Sequence, residues 1–183
     1  MEIIFPPYFE KISLEGIGEI SISKATEKNI DEIADVARAS IKRDPEKYAE
    51  VCGRLIYGIE QWKNDAAGNM FYLVARQNNK ILGVTNGRVI VRKGVILGVS
   101  HHTVSFLPGK GIGEAIAPEK MKYFFDGLKV EKVYTAPENK AGEKLAEKQG
   151  FEKAKDERHE WDSEPGVMVL TRDRYNQGRV RKK

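Results

Sequence analysis

Two periods of hydrophobic and polar alternation run along this chain, and the switches between them lay out its elements. From residue 18 to 26, GEISISKAT sets Ile20 and Ile22 against Ser21 and Ser23, the period-two pattern of a half-buried strand. Ile30, Ile33, Ala34, Val36, Ala37 and Ile41 then recur at helical spacing behind Thr26, which has the chemistry of a helix cap, with Asn29 three residues on. Asp44 and Pro45 open a second helix, reaching to about Trp62 or Ala66, whose inward stripe is Tyr48, Val51, Cys52, Leu55, Ile56 and Ile59. Tyr57, near the edge of that stripe, and Trp62 are read as packing residues.

Three strands in a meander follow, over 71–76, 81–91 and 95–107. They are joined by Gln77-Asn78-Asn79-Lys80 and Lys93-Gly94, where asparagine and glycine tolerate the left-handed backbone of tight turns. A helix from Gly113 carries Ile116, Met121, Phe124, Phe125 and Leu128, and Pro118 inside it predicts a kink or an irregular first turn, the kink being preferred. A strand over 130–136, a helix capped by Asn139 and ended by Gly150, and a hairpin of 152–161 with 167–172 close the pattern. Residues 1–18 are too apolar for a free tail and are expected to pack on one domain spanning 19–175, with a basic tail over 176–183.

The candidate chemistry centres on VSFLPGKGIG, residues 104–113. Gly109, Gly111 and Gly113 alternate with Lys110 and Ile112, so main-chain N–H groups are exposed to a ligand and a helix start aims its dipole at the same place. That is an anion cradle. It is not a P-loop, since Lys110 is followed by Gly111 rather than Ser or Thr, nor a Rossmann fingerprint, which needs a small residue at Glu114.

The stretch resembles the acyl-CoA loop of the GNAT superfamily of N-acetyltransferases, with Val104, Gly111 and Gly113 at matching positions. A second block, NKAGEKLAEKQGF, matches the family's pattern at Asn139, Leu145, Glu147, Lys148, Gly150 and Phe151. The resemblance spans about residues 20 to 172. It departs at Pro108, where the family has Arg or Gln, at Gly142, where it has Ala, and at Ala146, where it usually has the Tyr that serves as general acid.

The resemblance implies an α/β (α+β) fold with a mixed sheet of six to seven strands and about four helices, splayed between strands 4 and 5. It also implies acetyl-CoA as co-substrate. Val104, Phe106, Gly109, Lys110, Gly111, Ile112, Gly113 and Asn139 would bind it, the thioester arm pairing with main-chain groups near Val104. The activity expected is direct transfer of an acetyl group to a primary amine, on a small molecule or a peptide. The alternative is a degenerate acyl-CoA-binding or partner-binding module.

An amine acceptor must lose a proton before it attacks, and a neutral imidazole can take it. His101 and His102 are consecutive on a strand, so they face opposite ways; His102 shares its face with Val104 and is the first candidate, His101 the second. Tyr134 is a candidate acid in place of the missing Tyr. His159, amid charge, reads as a surface residue.

Composition narrows the classes. With 183 residues, 40% of them hydrophobic, the chain supports one core. The single cysteine, Cys52, excludes an internal disulfide or a multi-cysteine metal site and falls on a buried stripe. No apolar run approaches a membrane span, and the N-terminus lacks a basic leader, so a cytoplasmic protein is expected, monomeric or homodimeric. The net charge of +4 resides in the last thirteen residues, whose six basic residues and one acid leave the rest of the chain at −1. Such a tail offers nucleic acid an electrostatic foothold, but it lacks aromatic interleaving, so nucleic acid is a secondary possibility.

Overall fold

The computed structural model describes residues 3–64, 68–137, 139–154 and 166–180. Strands β1 (Phe9–Leu14) and β2 (Gly18–Lys24) precede helices α1 (Glu27–Arg43) and α2 (Pro45–Lys63). Strands β3 (Met70–Gln77), β4 (Lys80–Arg92) and β5 (Val95–Ser105) form the meander. Then come α3 (Ile112–Lys122), β6 (Lys132–Thr135), α4 (Lys140–Lys148), β7 (Glu152–Lys153), β8 (Met168–Thr171) and α5 (Arg172–Val180). All eight strands join one sheet in the order β1-β2-β3-β4-β5-β6-β8-β7, with β5 and β6 its parallel pair.

The local signals act as expected. The Thr26 N–H donates to Asn29 Oδ1 at 3.0 Å, the reciprocal half of a capping box with asparagine in the acidic position. Asn78, Asn79, Lys93 and Gly94 all have positive φ, and Gly150 ends α4 at φ 91°. Cys52 is fully buried in the core between α2 and the sheet.

The apolar N-terminus packs as expected, and it adds one strand more than the six to seven anticipated: β1 pairs antiparallel with β2 along its full length. Tyr123 donates to the Pro6 carbonyl at 3.0 Å, and Phe5 lies against Phe71. Pro118 sits within α3, which is regular from Ile112, so no irregular first turn exists; the helix instead widens to a π-helical turn at Tyr123–Gly127.

Three readings change. Tyr57 is 63% exposed rather than packed, whereas Trp62 packs edge-on against Tyr72 and donates to the Met70 carbonyl. The hairpin's second strand ends at Thr171, and a helix crosses the boundary placed at 176, running from Arg172 to Val180. The first strand is seen at Glu152–Lys153, paired antiparallel with β8, and residues 155–165, His159 among them, lie outside the described residues.

Helices α1 and α2 cover one face of the sheet, over Tyr72, Val74, Val84 and Val104. The other face is covered by α3, the π-helical turn and α4, over Phe71, Leu73, Val99 and Val133.

Candidate functional site

Strand β5 meets β6 at two positions, Val99 opposite Val133 and Ser100 opposite Tyr134, and then runs on to Ser105 paired with β4 on one side and with no strand on the other among the described residues. The sheet therefore opens into a wedge at its β5–β6 seam. Gly98 sits at the vertex, where a Cβ would stand 2.6 Å from the Lys132 carbonyl oxygen.

Pairing with β4 decides which backbone groups look into the wedge. Phe106 donates to the Leu82 carbonyl at 2.9 Å. In an antiparallel pair hydrogen-bonded and non-bonded residues alternate, so Val104 and His102 also turn their N–H and C=O groups toward β4. His101, Thr103 and Ser105 turn theirs the other way. The Thr135 hydroxyl reaches the His101 carbonyl at 3.4 Å, which leaves Thr103 and Ser105 as the backbone lining the open part. Val104, the expected main-chain partner of a thioester arm, itself turns toward β4; the groups left on the open edge are those of its two neighbours.

The glycine loop closes the wide end. Gly109 and Gly111 have φ of 74° and 70°, and Gly111 is the N-cap of α3. The N–H groups of Gly109, Lys110, Gly111, Ile112, Gly113 and Glu114 make no hydrogen bond to another backbone group among the described residues. These N–H groups cluster at the positive end of a helix dipole, the kind of place where an anion is bound. Lys110 is exposed, and Ile112 buries its side chain in the core and contributes only its N–H.

Two other candidates are already engaged. Phe106 is buried, and its carbonyl faces the Tyr48 hydroxyl and Arg43 Nη2, each at 3.4 Å, so it anchors the loop to α1 and α2. Asn139 caps α4, its Oδ1 accepting from the Gly142 N–H at 2.9 Å.

The histidines separate as the strand parity predicts. His101 faces α3, packed between Phe124 and Phe151, with neither ring nitrogen hydrogen-bonded among the described residues; burial pushes its pKa well below the usual value. His102 faces α2, its Nε2 3.2 Å from the Val51 carbonyl. A carbonyl can only accept, so Nε2 carries the hydrogen and Nδ1 is the unprotonated nitrogen. Burial lowers the His102 pKa to about 4, so the ring is neutral at physiological pH and weak as a base.

His102, Asn86 and Tyr72 lie side by side across β5, β4 and β3. The Tyr72 hydroxyl and Asn86 Oδ1 are buried without a hydrogen-bond partner among the described residues. Above them α2 presents Gly58, whose absent Cβ would lie 3.3 Å from Asn86 Nδ2 and 3.4 Å from the Tyr72 hydroxyl. Tyr134, level with Ser100, shares this face and is buried. Among the three catalytic candidates, the fold thus puts His102 and Tyr134 on one face of the sheet and His101 on the other.

Lys120 escaped the sequence reading. It is 2% exposed on α3, and its Nζ donates to Thr103 Oγ1 at 3.0 Å. The only signal was its place in the inward series Ile116, Lys120, Phe124, spaced by four.

No protein-family model matches the sequence, and a search of curated proteins finds no match. Solved structures do match. The aminoglycoside acetyltransferase AAC(6')-Ib, crystallised with coenzyme A and kanamycin, is 16% identical; the match covers 87% of this chain and 99% of that one, at a TM-score of 0.62. The Campylobacter jejuni N-acetyltransferase PseH is 18% identical over 84% of this chain and 98% of its own, at 0.53. A GNAT-family acetyltransferase from Streptococcus pneumoniae is 19% identical over 83% and 99%, at 0.57. Strand order, open seam and these likenesses agree: the chain has the fold of the GNAT acetyltransferases.

Proposed function

We propose that this protein is an acyl-CoA-dependent N-acyltransferase that moves an acetyl group from acetyl-CoA to a primary amine by direct transfer. One observation carries the reading: the N–H groups of the glycine loop and the first turn of α3, without backbone partners among the described residues, adjoin a wedge whose edge, Thr103 and Ser105, has main-chain groups to spare. A diphosphate fits the first, charge against dipole, and an extended amide-bearing arm fits the second as a surrogate strand. The likeness to AAC(6')-Ib, crystallised with coenzyme A, and to PseH, crystallised also with acetyl coenzyme A, supports that assignment of the groove.

On the α2 face, the row of Tyr72, Asn86 and His102 receives the acceptor. The hydroxyl and amide oxygens take its N–H groups, and His102 Nδ1 accepts a proton as the nitrogen attacks. With basicity so depressed, His102 holds that proton only in passing. The acceptor is a small-molecule amine, in keeping with the kanamycin found in the AAC(6')-Ib structure.

Calorimetry with acetyl-CoA tests the groove. Binding by the native chain, weakened at least tenfold by Gly111→Val at a positive-φ position, is the expected result; absence of binding rejects the reading. Turnover against a panel of amines, lost in His102→Ala, then separates a transferase from a protein that only binds acyl-CoA.

A further inference from the structure

Lysine is almost never fully buried without a counter-charge, because an unpaired ammonium loses its hydration and gains little in return. Lys120 is such a residue. No carboxylate of the described residues lies within 4 Å of it, and its one hydrogen bond is to Thr103 Oγ1, which shares a second, at 2.8 Å, with Thr85 Oγ1. An ammonium has three donors, so two remain for another acceptor.

Its location gives the anomaly meaning. Thr103 is the residue whose backbone lines the wedge, and its side chain turns toward α3, so Nζ is held against the rim of the groove from the α3 side. Among the described residues, the other groups considered as acids are unsuited to the role. Ala146, buried in the same apolar layer, is a methyl group, and His101, whose ring nitrogens have no partner among the described residues, is held neutral by burial. Tyr134 faces the opposite side.

We propose that Lys120 is the acid that protonates the coenzyme A sulfur as the thioester bond breaks, a role that rests on the acyl-CoA reading above. The acceptor nitrogen forms the new C–N bond with its lone pair, the C–S bond cleaves, and the electron pair stays on sulfur. A proton from Nζ passes to that sulfur, leaving coenzyme A as thiol and Lys120 as neutral amine. The nitrogen sheds its surplus proton to His102 and thence to solvent, from which Lys120 is recharged.

The group is suited to the transfer. Burial alone lowers its pKa to about 7, below the roughly 8.5 of an ordinary thiol, so the proton moves downhill onto the leaving sulfur. The titratable groups facing it are His101 on its own side of β5 and His102 across the sheet, both neutral. β4 contributes only the Thr85 hydroxyl, and its neighbours on α3 are engaged by the N-terminus, Glu119 by Tyr8 and Lys122 by Glu10.

The test is Lys120→Met, which keeps the length of the side chain and removes the charge. Relief of a buried unpaired ammonium should leave the melting temperature equal or higher, while kcat falls about 100-fold and acetyl-CoA affinity holds within about twofold. The decline of native kcat above about pH 7 should vanish in the variant. An unchanged kcat, or losses of kcat, affinity and melting temperature together, overturns the proposal. A second measurement needs only the native chain: because Lys120 surrenders its proton before the thiol does, the thiol of bound coenzyme A, followed by thiolate absorbance, should titrate at no lower pH than free coenzyme A, and a thiolate formed at lower pH, the mark of a lysine that keeps its proton, refutes the role. Native protein that binds and turns over acetyl-CoA, with Lys120→Met equally active, sinks this proposal alone. Failure to bind acetyl-CoA sinks the reading beneath it.

Discussion

Gly98 faces the carbonyl of Lys132 so closely that a Cβ would stand 2.6 Å from its oxygen and 3.1 Å from the Tyr134 ring. β5 and β6 meet there just before they part. Gly98→Ala must push the strands apart where only two residue pairs join them, at a cost of about 1–3 kcal/mol. Denaturant unfolding should show that loss, and acetyl-CoA affinity should fall with it because the wedge is hinged at this point.

The close packing of Gly58 over Tyr72 and Asn86 bears on the proposed acceptor row and not on the co-substrate groove. Alanine favours a helix over glycine by about 1 kcal/mol, yet its Cβ here crowds Asn86 Nδ2 and the Tyr72 hydroxyl. Gly58→Ala is expected to raise KM for the amine severalfold while acetyl-CoA affinity and thermal stability hold. Equal KM values in both proteins would remove this row from the acceptor site.

His101 and His102 make the fold acid-sensitive in a defined direction. Both have pKa values lowered by burial, so the unfolded chain takes up protons first, below about pH 6.5. Native stability is therefore full above that pH and falls as pH drops toward 4. His101→Leu replaces a ring with no bonded nitrogen by an apolar side chain among Phe124 and Phe151. Melting curves from pH 7 to 4 should show a shallower loss in the variant, with turnover retained.

Arg172 is a clamp rather than a tail charge. Its Nη2 donates to the carbonyls of Phe125 and Val130 at 2.9 and 2.8 Å, and its Nε meets Glu131 at 2.9 Å. Arg172→Gln strands part-buried acceptors and should cost about 1–3 kcal/mol. Because the carbonyl bonds are sheltered, the loss should persist in high salt, unlike that of a surface ion pair. Arg174, bonded to Glu152 and the Gly150 carbonyl, is likewise spent on the fold.

Patterns that depend on neighbours along the chain were legible from residues alone. Alternating Ile20 and Ile22, the stripe from Ile30 to Ile41, the Asn139 cap and the glycines at 109, 111 and 113 act through backbone sterics and amphipathic periodicity, which any fold must respect. They determined the strands, the helices and the donor-rich loop. Strand parity also separated His101 from His102, as found.

What sequence could not settle depends on partners distant in the chain. Parity says that Val104 and Thr103 differ in direction, but only the register against Leu82 and the early end of β6 reveal which of them lines an open edge. Arg172 reads as one more positive charge until the Phe125 and Val130 carbonyls are brought beside it. Lys120 sits at a helical position where solvent is the default for lysine. It is buried because α3 lies flat on the sheet and brings Thr103 to its Nζ, an arrangement that no local preference encodes.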